Sequence, residues 1–125
     1  MTVFEGLVIS HLLGDWLLQT EWQAQNKRTN VLALLTHIII YHAVILAVLL
    51  LAFRLPLIPT LATVVVLGVL HAVLDRQAAV LWIMKTMRLV VTREPERWLF
   101  VAIDQSLHIV ALGIAALYLA GVNCG

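Results

Sequence analysis

Val31-Leu-Ala-Leu-Leu-Thr-His37-Ile-Ile-Ile-Tyr41-His42-Ala-Val-Ile-Leu-Ala-Val-Leu-Leu-Leu-Ala-Phe53 decides how this chain is read. About 20 mostly apolar residues carry an α-helix across the hydrocarbon of a bilayer, and this run exceeds that length. Thr29-Asn30 stands immediately before it and can cap a helix start. Three other segments follow the same pattern. Val3 to Gln19 is short and interrupted by polar residues. Leu57 to Asp75 comes after a turn punctuated by Pro56 and Pro59. Trp98 to Ala120 has Pro95 placed for a helix start and Gly121 near its end.

Composition agrees. The chain has 125 residues, 62% hydrophobic and only 12% charged, with a mean hydropathy of +1.00. Soluble domains are about 45–50% apolar and about 25% charged. The expected fold is therefore all-α: an integral membrane four-helix bundle in one domain, with spans at about 3–19, 31–53, 57–75 and 98–120. Between the last two spans, Ala78 to Val91 is apolar but carries Lys85 and Arg88, with Thr92 next. It reads as an interfacial amphipathic helix over about 78–91, the competing reading being a continuation of the third helix. A net charge of +1 offers nothing to a nucleic acid. The single cysteine, Cys124, excludes an intrachain disulfide; it is an inert tail thiol or an intermolecular link. The start, Met1-Thr-Val-Phe-Glu5, lacks a basic n-region, so the first apolar run is expected to be retained.

Basic residues predict the orientation. Lys27, Arg28, Arg76, Lys85, Arg88, Arg93 and Arg97 fall in the first and third connectors, and Arg54 alone falls in the second. The basic connectors are expected in the cytoplasm and both termini outside, in the inner (plasma) membrane of a bacterium. Trp22, Trp82 and Trp98 lie on the basic side, where interfacial aromatics anchor.

The polar residues within these apolar segments carry the functional argument. They are His11 and Asp15, His37, His71 and Asp75, and Asp104 and His108. His-x-x-x-Asp occurs twice and Asp-x-x-x-His once, and residues four apart share a helix face. With a rise of about 1.5 Å per residue, all seven fall within about 15 Å of the basic side. Ionisable groups at that depth are costly when they face lipid, so the helices are expected to turn them toward one another. Tyr41 can hydrogen-bond into such a cluster. His42, about 140° around the helix from His37, cannot point squarely into the same site. Gln19 and Gln105 either join the cluster or cap and bridge helices. Lys27 and Arg28 read as topogenic residues that could also meet anionic headgroups.

Mixed imidazole and carboxylate groups suit a divalent metal, zinc first, with iron or manganese as alternatives. His11, His37, His71, His108, Asp15, Asp75 and Asp104 are the candidate ligands. Asp15, Asp75 and Asp104 are also the candidate orienters or general base. A bound metal can activate water beside the headgroups, which makes hydrolysis of a lipid, a lipid-linked phosphate or a peptide bond the favoured reaction class. Purely structural Asp–His pairing between helices is the plain alternative. A proton path or a bis-histidine haem ranks below it.

His11-Leu-Leu-Gly-Asp15-Trp-Leu-Leu-Gln19-Thr-Glu-Trp22 with Lys27 resembles the opening of the DUF3307 family of small bacterial and phage membrane proteins. Leu-Leu-Thr-His37, His71-Ala-Val-Leu-Asp75-Arg76 and Ile-Asp104-Gln105-Ser-Leu-His108 are similar to its later parts. The resemblance covers nearly the whole chain. It implies a multi-pass membrane protein and brings no established activity, substrate or catalytic residues. A fainter similarity runs to bacterial membrane-bound metal-dependent hydrolases, from which no residues carry over. The expected partners are the lipid bilayer and either a second copy of the chain or a membrane-complex partner. A non-catalytic accessory subunit and a proton or ion conductor are the rival functions.

Overall fold

A computed structural model describes residues 1–87 and 96–123. Every regular element among the described residues is helical. Helix α1 is Val3–Leu12 and runs on as a π-helical turn over Leu13–Leu17. Then come α2 (Glu21–Asn26), α3 (Val31–Ala47, extended as a π-helix over Val48–Ala52), α4 (Leu57–Asp75), α5 (Ala78–Thr86) and α6 (Arg97–Asn123).

Local chemistry sets the helix ends. Thr2 and Glu5 form a reciprocal capping box at α1, with Thr2 Oγ1 accepting from the Glu5 amide at 3.2 Å. Asn30 Oδ1 accepts from the Leu32 and Ala33 amides and starts α3 where the sequence placed a cap. Pro56 precedes α4. Arg54 and Gln77 both have positive φ, at 52° and 63°. Gln77 separates α4 from α5, so the third apolar segment does not continue as one helix.

Three helices are long and apolar enough to cross a membrane: Val31–Ala52, Leu57–Asp75 and Arg97–Val122. The first segment, expected to span to about residue 19, is helical only over Val3–Leu17 and falls short of that length. The polar connector after it contains α2, which the sequence reading did not anticipate. Helix α5 keeps Val80 and Met84 buried and Trp82 exposed, as an amphipathic helix should. The expected extension to Val91 and the Pro95 helix start lie outside the described residues, as do Arg88, Thr92, Arg93 and Cys124.

Helix α1 packs on α3 and α6, and α4 also packs on α3 and α6. Their apolar core contains Leu7, Tyr41, Ile45, Leu49, Leu67, Leu112 and Leu119. Outward faces are also apolar, with Ile39, Leu51, Val65, Val69, Ile114 and Leu117 exposed. Buried polar residues include His11, Asp15, His37, His71, Asp75 and His108. Apolar outside with polar inside is the arrangement a lipid solvent favours. Most of the core occupies the half near Arg54, and the polar residues occupy the half near Arg76 and Arg97.

Candidate functional site

Each contributing helix brings its polar residues inward for a local reason. On α4, His71 and Asp75 are one turn apart and both are buried. On α3 the same spacing buries His37 and Tyr41. The π-helical turn of α1 carries Asp15, with the Leu18 amide reaching back to the Leu13 carbonyl at 2.9 Å. Such turns re-aim side chains and recur at functional sites. Gly14 lets this turn lie against α3: a Cβ there would meet Tyr41 Cδ2 at 2.7 Å and Tyr41 Cα at 3.1 Å.

Asp15, His37, His71 and Asp75 meet, and one ligand atom from each lies within 4.8 Å of all the others. His37 Nε2 is 3.1 Å from Asp15 Oδ1, 3.3 Å from Asp75 Oδ2 and 3.3 Å from His71 Nε2. His71 Nε2 is 3.2 Å from Asp75 Oδ2. Four edges of this polyhedron are therefore 3.1–3.3 Å. Ligand atoms about 2.0–2.1 Å from a tetrahedral zinc lie about 3.3 Å apart. Asp75 Oδ2 is buried and has no hydrogen-bond partner. Two imidazole nitrogens and carboxylate oxygens from two aspartates thus converge, and among them Asp75 Oδ2 lacks a hydrogen-bond partner. These four residues could hold a metal ion.

Lys27 closes the open side of the polyhedron. Its Nζ is 2.9 Å from Asp75 Oδ1 and 3.3 Å from Asp15 Oδ1, and 3.5 Å from His37 Nε2. The sequence reading gave Lys27 a topogenic role and missed this one. Helix α2 turns it inward. Thr20 and Gln23 form a capping box at the start of α2, Gln23 Nε2 donates to Thr36 Oγ1 on α3 at 3.3 Å, and Lys27 is the C-cap. Gln19 also belongs to the cluster. In the amide orientation that satisfies both its ends, it donates to the Asp15 carbonyl and accepts from Lys27 Nζ, both at 2.9 Å. The available signal was charge balance: buried aspartates need a cation, and Lys27 follows the first pair in the sequence.

His11, His108 and Asp104 stand behind the four. Gln105 Nε2 donates to Asp15 Oδ2 at 3.2 Å and to Asp104 Oδ2 at 3.3 Å. Its Oε1 accepts from His11 Nε2 at 2.9 Å and from Trp16 Nε1 at 3.2 Å. His11 therefore carries its proton on Nε2, and its Nδ1 accepts from the Tyr41 hydroxyl at 2.9 Å. Both His11 nitrogens are engaged, which makes it an orienter in this arrangement. His108 stacks on His11, with ring centroids 5.5 Å apart, and its Nδ1 lies 2.8 Å from the Asp104 carbonyl oxygen. His108 Nε2 and Asp104 Oδ1 are buried without partners. His42 Nδ1 lies 2.9 Å from its own helix's Ile38 carbonyl oxygen, and His42 stays outside the four.

A cleft of about 950 Å³ opens onto this cluster from the basic end. Asp15, Lys27, Asp104 and Gln105 line it, together with Arg28 and Arg97.

Comparison with curated proteins gives no match, and neither does comparison with solved structures. One family, described as protein of unknown function (DUF3307), matches residues 3–124. That match runs through α1 to α6 and includes every residue of the cluster, so the chain belongs to the DUF3307 family.

Proposed function

We infer that this chain is an integral membrane protein whose Asp15, His37, His71 and Asp75 hold one divalent metal ion and serve hydrolysis at the cytoplasmic leaflet. Zinc fits the two-imidazole, two-carboxylate set best, with iron or manganese as alternatives. The observation that carries the reading is the set of 3.1–3.3 Å separations among ligand atoms from three different helical segments. When bound, the ion would polarise a substrate oxygen and acidify a water molecule. Gln105 and His11 would orient Asp15, as outer partners of metal ligands do. Asp104 lines the cleft, and its Oδ1 is buried without a hydrogen-bond partner; it is the candidate general base.

The same reading places α1 as a short fourth crossing in a four-helix bundle. Its contacts with both α3 and α6 support this, as does the buried level that His11 and Asp15 share with the residues of the long helices. Arg28, Arg76, Lys85 and Arg97 then lie on the cytoplasmic side of a bacterial inner membrane, as does the connector that carries Lys27, with both termini outside.

One observation favours a purely structural cluster instead. Lys27 already supplies a cation to Asp15 and Asp75. Elemental analysis of detergent-purified protein from metal-replete cells separates the two readings. About one metal ion per chain is expected, lost in Asp75→Asn without loss of helical circular dichroism. Metal-free wild-type protein would overturn the metal reading and leave the structural one.

A further inference from the structure

Two cavities meet beside the cluster, and they differ in chemistry. The polar cleft at the basic end is lined on its charged side by Lys27, Arg28, Arg97, Asp15 and Asp104. The second is a predominantly apolar groove of about 840 Å³ along α6 and the π-helical turn of α1. Trp98 and Ala102 line the groove alone, and Glu96, which accepts from Trp98 Nε1, lies there too. Trp16, Arg97, Val101 and Gln105 line both spaces, so the groove runs into the cleft.

We propose that the cleft and groove together bind an anionic phospholipid, its phosphate between Arg28 and Arg97 and an acyl chain along the groove. The proposal rests on the metal-centre reading for its meaning as a substrate site, and on its own geometry for binding. Among the described residues, no carboxylate lies within salt-bridge distance of either guanidinium. Lys27, by contrast, is held by Asp15 and Asp75. Guanidinium groups match phosphate oxygens in paired hydrogen bonds. Arg76 Nη1 donates to the Arg28 carbonyl at 3.2 Å and fixes that residue's backbone.

Gln77 adds an independent observation. It lines the cleft in a left-handed conformation, φ 63°, which disfavours a residue with a side chain and suits glycine. Strained backbone of this kind clusters at ligand-binding sites. The apolar groove distinguishes a lipid from free phosphate, because a soluble anion has no use for it. Gln105 contacts Asp15 and lines both cavities. A phosphate in the cleft therefore lies next to the cluster.

The test is native mass spectrometry of detergent-solubilised, chelator-treated protein, titrated with phosphatidic acid, phosphatidylcholine or inorganic phosphate. Wild type should retain phosphatidic acid at least about tenfold better than phosphatidylcholine, a gap of about 1.4 kcal/mol. Arg28→Gln with Arg97→Gln should abolish that preference. Lys85→Gln removes a charge on α5 that lines neither cavity, and it should leave the preference intact. Equal retention of the two lipids would overturn the proposal, as would a preference that survives the double substitution or falls equally with Lys85→Gln. Inorganic phosphate competing as well as phosphatidic acid would overturn the lipid assignment. Metal-free protein is used throughout, so failure here is distinct from failure of the elemental analysis.

Discussion

Replacing Lys27 with methionine should move two measurements in opposite directions. The ammonium lies 2.9 Å from Asp75 Oδ1 and 3.3 Å from Asp15 Oδ1, with the side chain 14% exposed. Methionine keeps the apolar stem and removes the charge, leaving two buried carboxylates without their cation. Breaking a buried pair costs about 3–5 kcal/mol. Unit charges 4 Å apart attract by about 4 kcal/mol at an effective dielectric constant of about 20, so the two figures agree. Metal-free Lys27→Met should therefore be less stable than wild type by about 3 kcal/mol or more.

The same ammonium opposes any divalent ion that enters between Asp15 and Asp75. A metal must displace it and forfeit most of that attraction. Removing Lys27 should raise metal affinity by about 2.7 kcal/mol, or about 100-fold. Zinc at about 100 times its Kd then returns about 2.7 kcal/mol of stability. The assays are calorimetric zinc titration and thermal unfolding in mild detergent, after chelation and after zinc addition. Lys27→Arg keeps the charge and should stay near wild type in both. The reasoning fails if Lys27→Met unfolds at the wild-type temperature, or if it binds zinc no more tightly than wild type.

Three further substitutions probe the supports of the site, one of them as a control. Gly14→Ala should destabilise the fold by about 1–3 kcal/mol, because its Cβ meets the Tyr41 backbone and ring, at 3.1 Å and 2.7 Å. Gly68→Ala should be tolerated, since its Cβ would meet only the His42 ring, at an ordinary contact distance of 3.8 Å; comparing the two unfolding temperatures checks the difference. Gln105→Leu takes hydrogen bonds from Asp15, His11 and Trp16. Metal affinity should fall about 10–100-fold in the same calorimetric titration, and an unchanged Kd would remove Gln105 from any orienting role.

Local sequence determined the helical class, the start of α3 and both ends of α4. Leu57 to Asp75 reads as one apolar helix after Pro56, and α4 has those bounds. Asn30 reads as a cap and caps α3. Hydropathy, proline and capping chemistry act over a few residues, so no distant partner is needed to read them. Spacing likewise put His71 and Asp75 on one face. Tertiary structure decided which polar residues meet. Asp15 reaches His37 only because a π-helical turn and Gly14 seat α1 against Tyr41. Lys27 sits in a stretch that reads as a solvated connector, and it turns inward because α2 forms and Gln23 ties it to Thr36. His11 carries the same sequence signature as His71, yet Tyr41 and Gln105 occupy both its nitrogens. Those partners lie 30 and 94 residues away along the chain, and helical periodicity holds no information over such separations.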